Sequence, residues 1–107
     1  MNLSISFRNL DPSESIAAHA SHRAVALATK LDPNCRLRVT CGIDAGWADV
    51  EVVGRMGARA VVARVEEADM YDAIDAAFEK ITTQARRDHD RRVRRHRRRP
   101  ELVQAAG

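Results

Sequence analysis

Four stretches of the chain alternate between apolar and polar residues, and this period of two constrains the fold more than any other feature. In the first stretch, NLSISFR, residues 3, 5 and 7 are apolar and residues 2, 4 and 6 are polar. The other three are CRLRVTCGID, ADVEVVGRM and ARAVVARVE, and a tight MGA connection joins the last two. Such alternation predicts half-buried β-strands, and the short connection predicts a hairpin.

Two segments with helical periodicity accompany these strands. The first opens at NLDPSE, where Asp11 is the predicted N-cap, Pro12 the first helical residue and Glu14 the partner in a capping box. It runs to about Leu31, because Pro33 disfavours a helical conformation in the residue before it. Its apolar stripe is formed by Ile16, Ala20, Ala24, Leu27 and Leu31, while His19, His22, Arg23 and Lys30 lie off the stripe.

The second helical segment, EEADMYDAIDAAFEKITTQARR, has the clearest periodicity in the chain. Asp69 is its predicted N-cap. The apolar stripe predicted to pack on the sheet consists of Tyr71, Ile74, Phe78, Ile81 and Ala85. No helix-breaking residue occurs before Pro100, so the sequence allows the helix to continue into the arginine-rich segment that follows, without deciding whether that segment is helical.

The order β-α-β-β-β-α predicts an α+β fold, with a four-stranded mixed sheet and two helices on one of its faces. The other face is left open and is predicted to carry Arg36, Arg38, Thr40, Asp49, Glu51, Arg55, Arg59 and Arg64. This face has no set of bulky aromatic residues, which disfavours a sheet that stacks single-stranded bases. Residues 1–95 are predicted to form the α+β domain, and residues 96–107 a flexible basic tail.

Charge is distributed very unevenly along the chain. Residues 86–99, RRDHDRRVRRHRRR, hold nine of the sixteen arginines. Residues 1–85 contain nine Lys/Arg and twelve Asp/Glu, a net charge of −3, whereas residues 86–107 contain nine Arg and three acids, a net charge of +6. Because the planar guanidinium group suits bidentate contacts with phosphate, this asymmetry indicates a polyanionic partner at one end of the molecule.

Alternatives to a specific phosphate clamp stay open from the residues alone. An arginine run at a chain end is also typical of a solvated tail or of a nonspecific tether for RNA or heparin. The acidic start of the second helix and the sheet face offer a further alternative, a module that regulates a protein partner. A generic chaperone for structured RNA is another.

Several other classes of function are disfavoured by the sequence. Cys35 and Cys41 lie six residues apart in one predicted strand, about 20 Å, which is too far for a disulfide between them. Their spacing relative to the histidines matches no structural zinc motif, so neither a metal nor another cofactor is predicted. No catalytic motif is present, and the chain is predicted not to be an enzyme and to have no small-molecule substrate. It has no apolar run of about 18 residues and no secretory signal, which predicts a cytoplasmic protein without a membrane partner.

The block DMYDAIDAAFEKITTQARR resembles the last-helix signature of the hibernation-promoting factor and ribosome-associated inhibitor family, in its short, sigma-54 modulation protein form. In that family D-[MV]-Y-x-A-I recurs and is followed by a basic helix that contains Gln. The block ISFRNLDPSESI is also similar to the strand-to-helix opening of members of the family. The resemblance covers roughly residues 1–95, and the two blocks stand in the order that the β-α-β-β-β-α fold of the family requires.

The resemblance implies a double-stranded-RNA-binding-like fold and a ribosome hibernation factor. Members of the family bind the small ribosomal subunit and its rRNA in the decoding cleft, where they inhibit translation by occluding the mRNA and tRNA sites. The implied protein is a monomer off the ribosome. The implied RNA-binding residues on the last helix are Lys80, Arg86, Arg87, Arg91, Arg92, Arg94 and Arg95, and those on the open sheet face are Arg36, Arg38 and Arg64. Where relatives often have K-H-K, this chain has Asp88, His89 and Asp90, which is expected to weaken the local affinity for phosphate.

Overall fold

The structure, a computed structural model, describes the backbone of residues 1–106 and the side chains of residues 1–88, 90 and 91. Its elements are β1 (Asn2–Arg8), α1 (Glu14–Lys30), β2 (Arg36–Asp44), β3 (Trp47–Met56), β4 (Arg59–Glu67) and α2 (Met70–Ala106). The predicted order β-α-β-β-β-α is confirmed. The last helix continues into the arginine-rich segment, a point that the sequence left open. The predicted division at residue 95 falls inside α2 and remains a prediction, since the side chains of residues 96–107 lie outside the described ones.

The four strands form one mixed sheet in the order β1-β2-β3-β4. β1 pairs in parallel with β2, which requires a crossover, and α1 supplies it. The other two pairings are antiparallel, each closed by a two-residue turn. In the first turn Ala45 and Gly46 both have positive φ, 50° and 84°, as a type I′ hairpin turn requires.

Both helices pack on one face of the sheet and bury the apolar side of every strand. The core draws on alternating strand residues, with Leu37, Val39, Cys41, Val50, Val52, Val61, Ala63 and Val65 buried, and on Ala20, Ala24, Leu27, Ala28, Ala73, Ile74, Ala77, Phe78 and Ile81 of the helices. Tyr71, predicted within the apolar stripe, is instead 39% exposed at the rim, where its hydroxyl donates a hydrogen bond to Ser15 at 3.0 Å. The α+β fold with both helices on one face is therefore confirmed, and the opposite face is open.

The helix starts show one correct and one wrong prediction. Asp69 caps α2 as predicted, since its Oδ1 accepts a hydrogen bond from the Asp72 amide at 3.1 Å. The cap of α1, however, is Ser13 and not Asp11. Ser13 has an extended backbone, with φ −128° and ψ 123°, and its Oγ accepts from the Ile16 amide at 3.3 Å. Pro12 therefore lies before the helix, because the chain becomes helical only at Glu14.

The two free cysteines, Cys35 and Cys41, are fully buried. In the folded protein their thiols are expected to resist labelling by a disulfide reagent at pH 8, and they are expected to react once the protein is unfolded. Burial raises the pKa of Cys41 from its ordinary value of 9.0 to about 11, and it raises the pKa of Cys35 as well. Since the unfolded thiol releases its proton first, the free energy of unfolding is expected to fall as pH rises from about 9 to about 11. Rapid labelling without denaturant would contradict this burial.

Candidate nucleic-acid interface

Helix α2 crosses the sheet and carries the arginine-rich segment past one of its ends. A helix of 37 residues spans about 55 Å, whereas the ten-residue strand β3 spans about 33 Å, so α2 is longer than the sheet. Two contacts mark where it leaves the sheet. The Gln84 Nε2 donates to the Val62 carbonyl at 3.0 Å, and the Arg59 guanidinium lies 3.4 Å from the Asp88 carboxylate. Residues 86–91 therefore lie beside the β3–β4 hairpin.

Topology concentrates charge of opposite sign at the two ends of the sheet. One end of the sheet lies beside the C-terminus of α1, the start of β2, the β3–β4 hairpin and residues 85–91 of α2. We call it the basic end. It presents Lys30, Arg36, Arg55, Arg86, Arg87 and Arg91, all exposed. We call the opposite end the acidic end. It presents Glu14, Asp44, Asp49, Glu66, Glu67, Asp69 and Asp72. The basic end is the part of the described molecule that can attract a polyanion.

The four predicted helix residues with described side chains lie along two sides of α2. Lys80 and Arg87, seven residues apart, line one shallow groove with Thr83 and Gln84. Arg86 lines a second groove, between the two helices, together with Lys30 of α1. Arg91 is exposed further along the helix. Among the described side chains, Lys80, Arg86, Arg87 and Arg91 form no ion pair, so their charges are available to a ligand.

The remaining predicted helix residues cannot be assigned contacts. Arg92, Arg94 and Arg95 belong to α2 by their backbone, but their side chains lie outside the described ones. Their role in RNA binding stays a prediction.

The three predicted arginines of the sheet differ in their surroundings. Arg36 and Arg38 are exposed on the open face, without an ion pair among the described residues. Arg64 instead binds Asp49 through two hydrogen bonds, Nε to Oδ1 at 3.1 Å and Nη2 to Oδ2 at 2.7 Å. This pairing raises the pKa of the Arg64 guanidinium. Arg64 is thus already engaged by a carboxylate, and its charge is less available to phosphate than that of Arg36 or Arg38.

Arg59 was predicted on the open face, and this prediction is wrong. Along β4 it has the same parity as the buried residues Val61 and Ala63, so its side chain turns toward the helices. There it pairs with Asp88. Asp88, expected to weaken phosphate binding, therefore also ties α2 to the β3–β4 hairpin.

A polar cluster between the two helices does not follow from the sequence pattern. His19 Nε2 lies 2.8 Å from Asp75 Oδ1, and the Arg23 guanidinium lies 3.5 Å from the same oxygen. The His19 ring meets Tyr71 edge-on, with ring centroids 5.2 Å apart. From the sequence, the three-residue spacing of His19 and His22 predicts only a pair of solvated side chains. It does not reveal Asp75, which faces His19 from α2 but lies 56 positions away in the sequence. The cluster joins α1 to α2.

At the acidic end, carboxylate oxygens of Asp44, Asp49 and Glu66 lie within 4.8 Å of one another. Asp49 is already bound to Arg64, and an exposed acidic group of this kind does not by itself define a metal site. No metal is assigned there. In the part of the chain that the structure describes, none of the helices combines the length and apolar character needed to cross a bilayer.

Comparisons with known proteins bear on this fold and interface. The model of the family described as sigma 54 modulation protein / S30EA ribosomal protein matches residues 3–98. Among solved structures, the Protein Y N-terminal domain of Thermus thermophilus is similar at 27% identity and a TM-score of 0.73, over 81% of this chain and 98% of that one. A ribosomal subunit interface protein from Coxiella burnetii has a TM-score of 0.74 at 16% identity, over 84% of this chain and 99% of that one, which shows a shared fold. A search of curated protein sequences gave no match.

Proposed function

Since the chain belongs to the sigma 54 modulation protein / S30EA ribosomal protein family, we propose that it is a ribosome hibernation factor that binds the decoding cleft of the small ribosomal subunit. Ribosome association is the function that this family description supports. The finer proposal is that the bound domain inhibits translation by occluding the sites of tRNA and mRNA. The Coxiella neighbour is described as a ribosomal subunit interface protein, which is in keeping with a site of this kind.

The observation that carries the proposal is the basic end of the molecule. Arg86, Arg87 and Arg91 are exposed where α2 passes the edge of the sheet, and Lys80 is exposed seven residues before Arg87 on the same helix. None of the four is paired with a described carboxylate. We propose these four as ligands of ribosomal RNA phosphates, with Arg92, Arg94 and Arg95 extending the same contact along the helix. Arg36 and Arg38 are proposed as further RNA contacts from the sheet.

Electrostatics also orients the domain on its target. RNA phosphates attract the basic end and repel the acidic end, so the domain is expected to enter the cleft with the basic end against RNA. Phosphate contacts position a protein but carry no sequence information. Specificity is therefore expected to come from the shape of the ribosomal cleft, and inhibition from the volume that the folded domain occupies.

The remaining predictions about partners follow from this proposal. A ribosomal partner supports the predicted cytoplasmic location. The family description names a modulation and ribosomal protein and no reaction, which supports a protein without catalytic function. We propose that the small subunit is the specific target and that the protein is a monomer when unbound.

One observation favours a second candidate function, a module that binds a protein partner. Trp47 is 51% exposed at the β2–β3 hairpin, beside the carboxylates of the acidic end. Exposed tryptophans are enriched at protein interfaces. Binding through this end would be independent of RNA and would survive removal of the arginine-rich segment.

The full-length protein is expected to sediment in equimolar amounts with vacant small subunits at 50 mM salt and to be released as salt approaches 200 mM. About six phosphate contacts lower the affinity by roughly a thousandfold over that range. Bound protein is also expected to block the binding of mRNA and tRNA to the same subunits. The experiment is repeated with an excess of unrelated structured RNA as a competitor. This RNA would displace a generic RNA binder from the small subunits, whereas a specific ligand of the subunit would stay bound. If the protein stays at the top of the gradient at low salt, the hibernation proposal is wrong.

A further inference from the structure

Three arginines lie side by side on the open face, at the basic end of the two central strands β2 and β3, and Arg55 among them has no assigned role. Arg36 and Arg55 are direct partners in the β2–β3 register, and Arg38 pairs with Val53 in the next row of the same face. We call these three residues, Arg36, Arg38 and Arg55, the sheet corner. All three are exposed.

The sheet corner is electrostatically unfavourable for the fold itself. Side chains directly opposite on one face of an antiparallel pair have Cβ atoms about 4.5–5.5 Å apart, and like charges there are destabilising. Among the described residues, none of the three arginines forms an ion pair. Their neighbours in the same two rows are uncharged, namely Asn2 and Ser4 of β1, Val53 of β3, and Ala60 and Val62 of β4. Nothing described within the corner offsets the repulsion.

A different arrangement holds elsewhere on the same face. Arg64 stands opposite Glu51 and is bound to Asp49, so this arginine is neutralised by its own sheet. Within the sheet register, the acid closest to the corner on this face is Glu51, one row beyond Arg38, and it forms no ion pair with Arg38. The uncompensated charge is thus localised at the sheet corner, where an anionic ligand would relieve it.

The spacing of the corner suits a chain of phosphates. Arg36 and Arg38 are two residues apart on one strand, about 6.6 Å. This spacing is on the order of the separation between consecutive phosphates along an RNA strand. Guanidinium groups bind phosphate oxygens in a bidentate manner, and the flat open face leaves room for an extended backbone.

The sheet corner and the helix arginines occupy opposite faces of the molecule at the same end. Arg86 and Arg87 belong to α2, which covers the other face of the sheet. We propose that the sheet corner is a second RNA-phosphate site in which Arg55 is a ligand beside Arg36 and Arg38, so that the basic end is inserted between two RNA segments. This inference rests on the RNA-binding part of the proposed function, and it deepens it by naming a second contact and its residues.

The test compares Arg55→Gln with Arg8→Gln in the full-length protein. Arg8 is also exposed on the open face and lacks an ion pair among the described residues, but it lies in the row of Asp49 and Glu66 at the acidic end. The affinity for small subunits is measured at several salt concentrations. A plot of log K against log salt has a negative slope, and each lost phosphate contact is expected to reduce the steepness of that slope by about 0.9. Arg55→Gln should therefore reduce the steepness of the slope by about one, and the double variant Arg36→Gln/Arg55→Gln should reduce it by about two. Arg8→Gln should leave the slope unchanged.

Thermal unfolding at low salt separates a binding role from a structural one. Because Arg55→Gln removes a like-charge contact, the variant is expected to melt at the wild-type temperature or above it while binding RNA less tightly. An unchanged salt slope for Arg55→Gln, or an equal loss for Arg8→Gln, would overturn the sheet corner as a phosphate site. A lower melting temperature together with an unchanged slope would assign Arg55 to the fold alone.

Two further probes distinguish this inference from the proposed function. If wild-type protein binds a plain RNA duplex with a slope that depends on Arg55 but does not bind small subunits, the sheet corner stands and the hibernation proposal fails. Inorganic polyphosphate is the second probe. If binding to polyphosphate shows a salt slope that depends on Arg55, and binding to the RNA duplex and to small subunits does not, the ligand is a free polyphosphate and the assignment to RNA is wrong.

Discussion

A chain that ends at Ala85 is expected to fold and to lose its binding to small ribosomal subunits. The truncation removes all nine arginines of residues 86–99, whereas Ala85 and the other buried residues described in α2 are retained. The contact of Gln84 with the Val62 carbonyl is retained as well, and the partly exposed Arg59–Asp88 pair is lost at a cost of about 1 kcal/mol. Circular dichroism is expected to show a folded α+β domain, so the loss of binding will report on the arginines.

The expected loss of affinity is more than a hundredfold. A hydrogen bond to a charged group contributes about 1.5–3 kcal/mol, so even two lost phosphate contacts amount to about 3 kcal/mol. The matched control is a chain that ends at Arg99, which lacks residues 100–107 but keeps every arginine. It is expected to sediment with small subunits like the full-length protein. If the chain ending at Ala85 still binds small subunits with the affinity of the full-length protein, the arginines of residues 86–99 do not form the contact.

The uneven charge of the sequence becomes a polarity of the folded molecule. Because α2 follows β4 directly, its start lies beside the acidic ends of the strands, and residues 86–91 lie beside the β3–β4 hairpin at the opposite end. A net charge of −3 in residues 1–85 and +6 in residues 86–107 is thereby converted into two ends of opposite sign. An RNA partner can meet this molecule favourably in one orientation, which is the reason for proposing that the basic end faces the RNA.

The order of the elements and the faces of the strands could be predicted because both follow from local periodicity. The alternation of apolar residues in β2 predicted Arg36 and Arg38 on the open face, and the structure has them there. The start of α1 was harder, because Asp11 and Ser13 are both good caps separated by a proline. Only the conformation of Ser13 decides between them, and that conformation depends on how the chain leaves β1.

The candidate site was predictable in its helix residues and not in its sheet residues. The helix arginines follow from composition, since they crowd one segment. The pairing of Arg64 with Asp49 and the juxtaposition of Arg36 with Arg55 depend on the register between strands, which no local pattern specifies. For the same reason Arg55 was expected on the open face but was not recognised as a candidate ligand. The side of the sheet that Arg59 takes is different, because its shared parity with Val61 and Ala63 along β4 is a local pattern that could have placed it toward the helices.

Phe78→Ala is expected to destabilise the domain by about 3–5 kcal/mol. Phe78 is 1% exposed and is the largest fully buried side chain of a core that otherwise consists mainly of Val, Ala, Leu, Ile and Cys. Its removal leaves a cavity between the helices and the sheet that small aliphatic neighbours cannot fill. Because domains of this size have a total stability of about 5–15 kcal/mol, the melting temperature is expected to fall by roughly 15 °C or more. Urea denaturation followed by circular dichroism measures the change.

Ile81→Val is the matched control, because Ile81 is buried in the same helix and the change removes one methylene group. It is expected to cost about 0.5–1.5 kcal/mol. Neither substitution touches an arginine, so Phe78→Ala is expected to bind small subunits normally in the cold and to lose binding at temperatures where it unfolds. A loss of less than about 1 kcal/mol for Phe78→Ala would show that the core does not depend on this aromatic ring. Loss of binding by a folded Phe78→Ala protein would show instead that the packing of α2 on the sheet sets the position of its arginines.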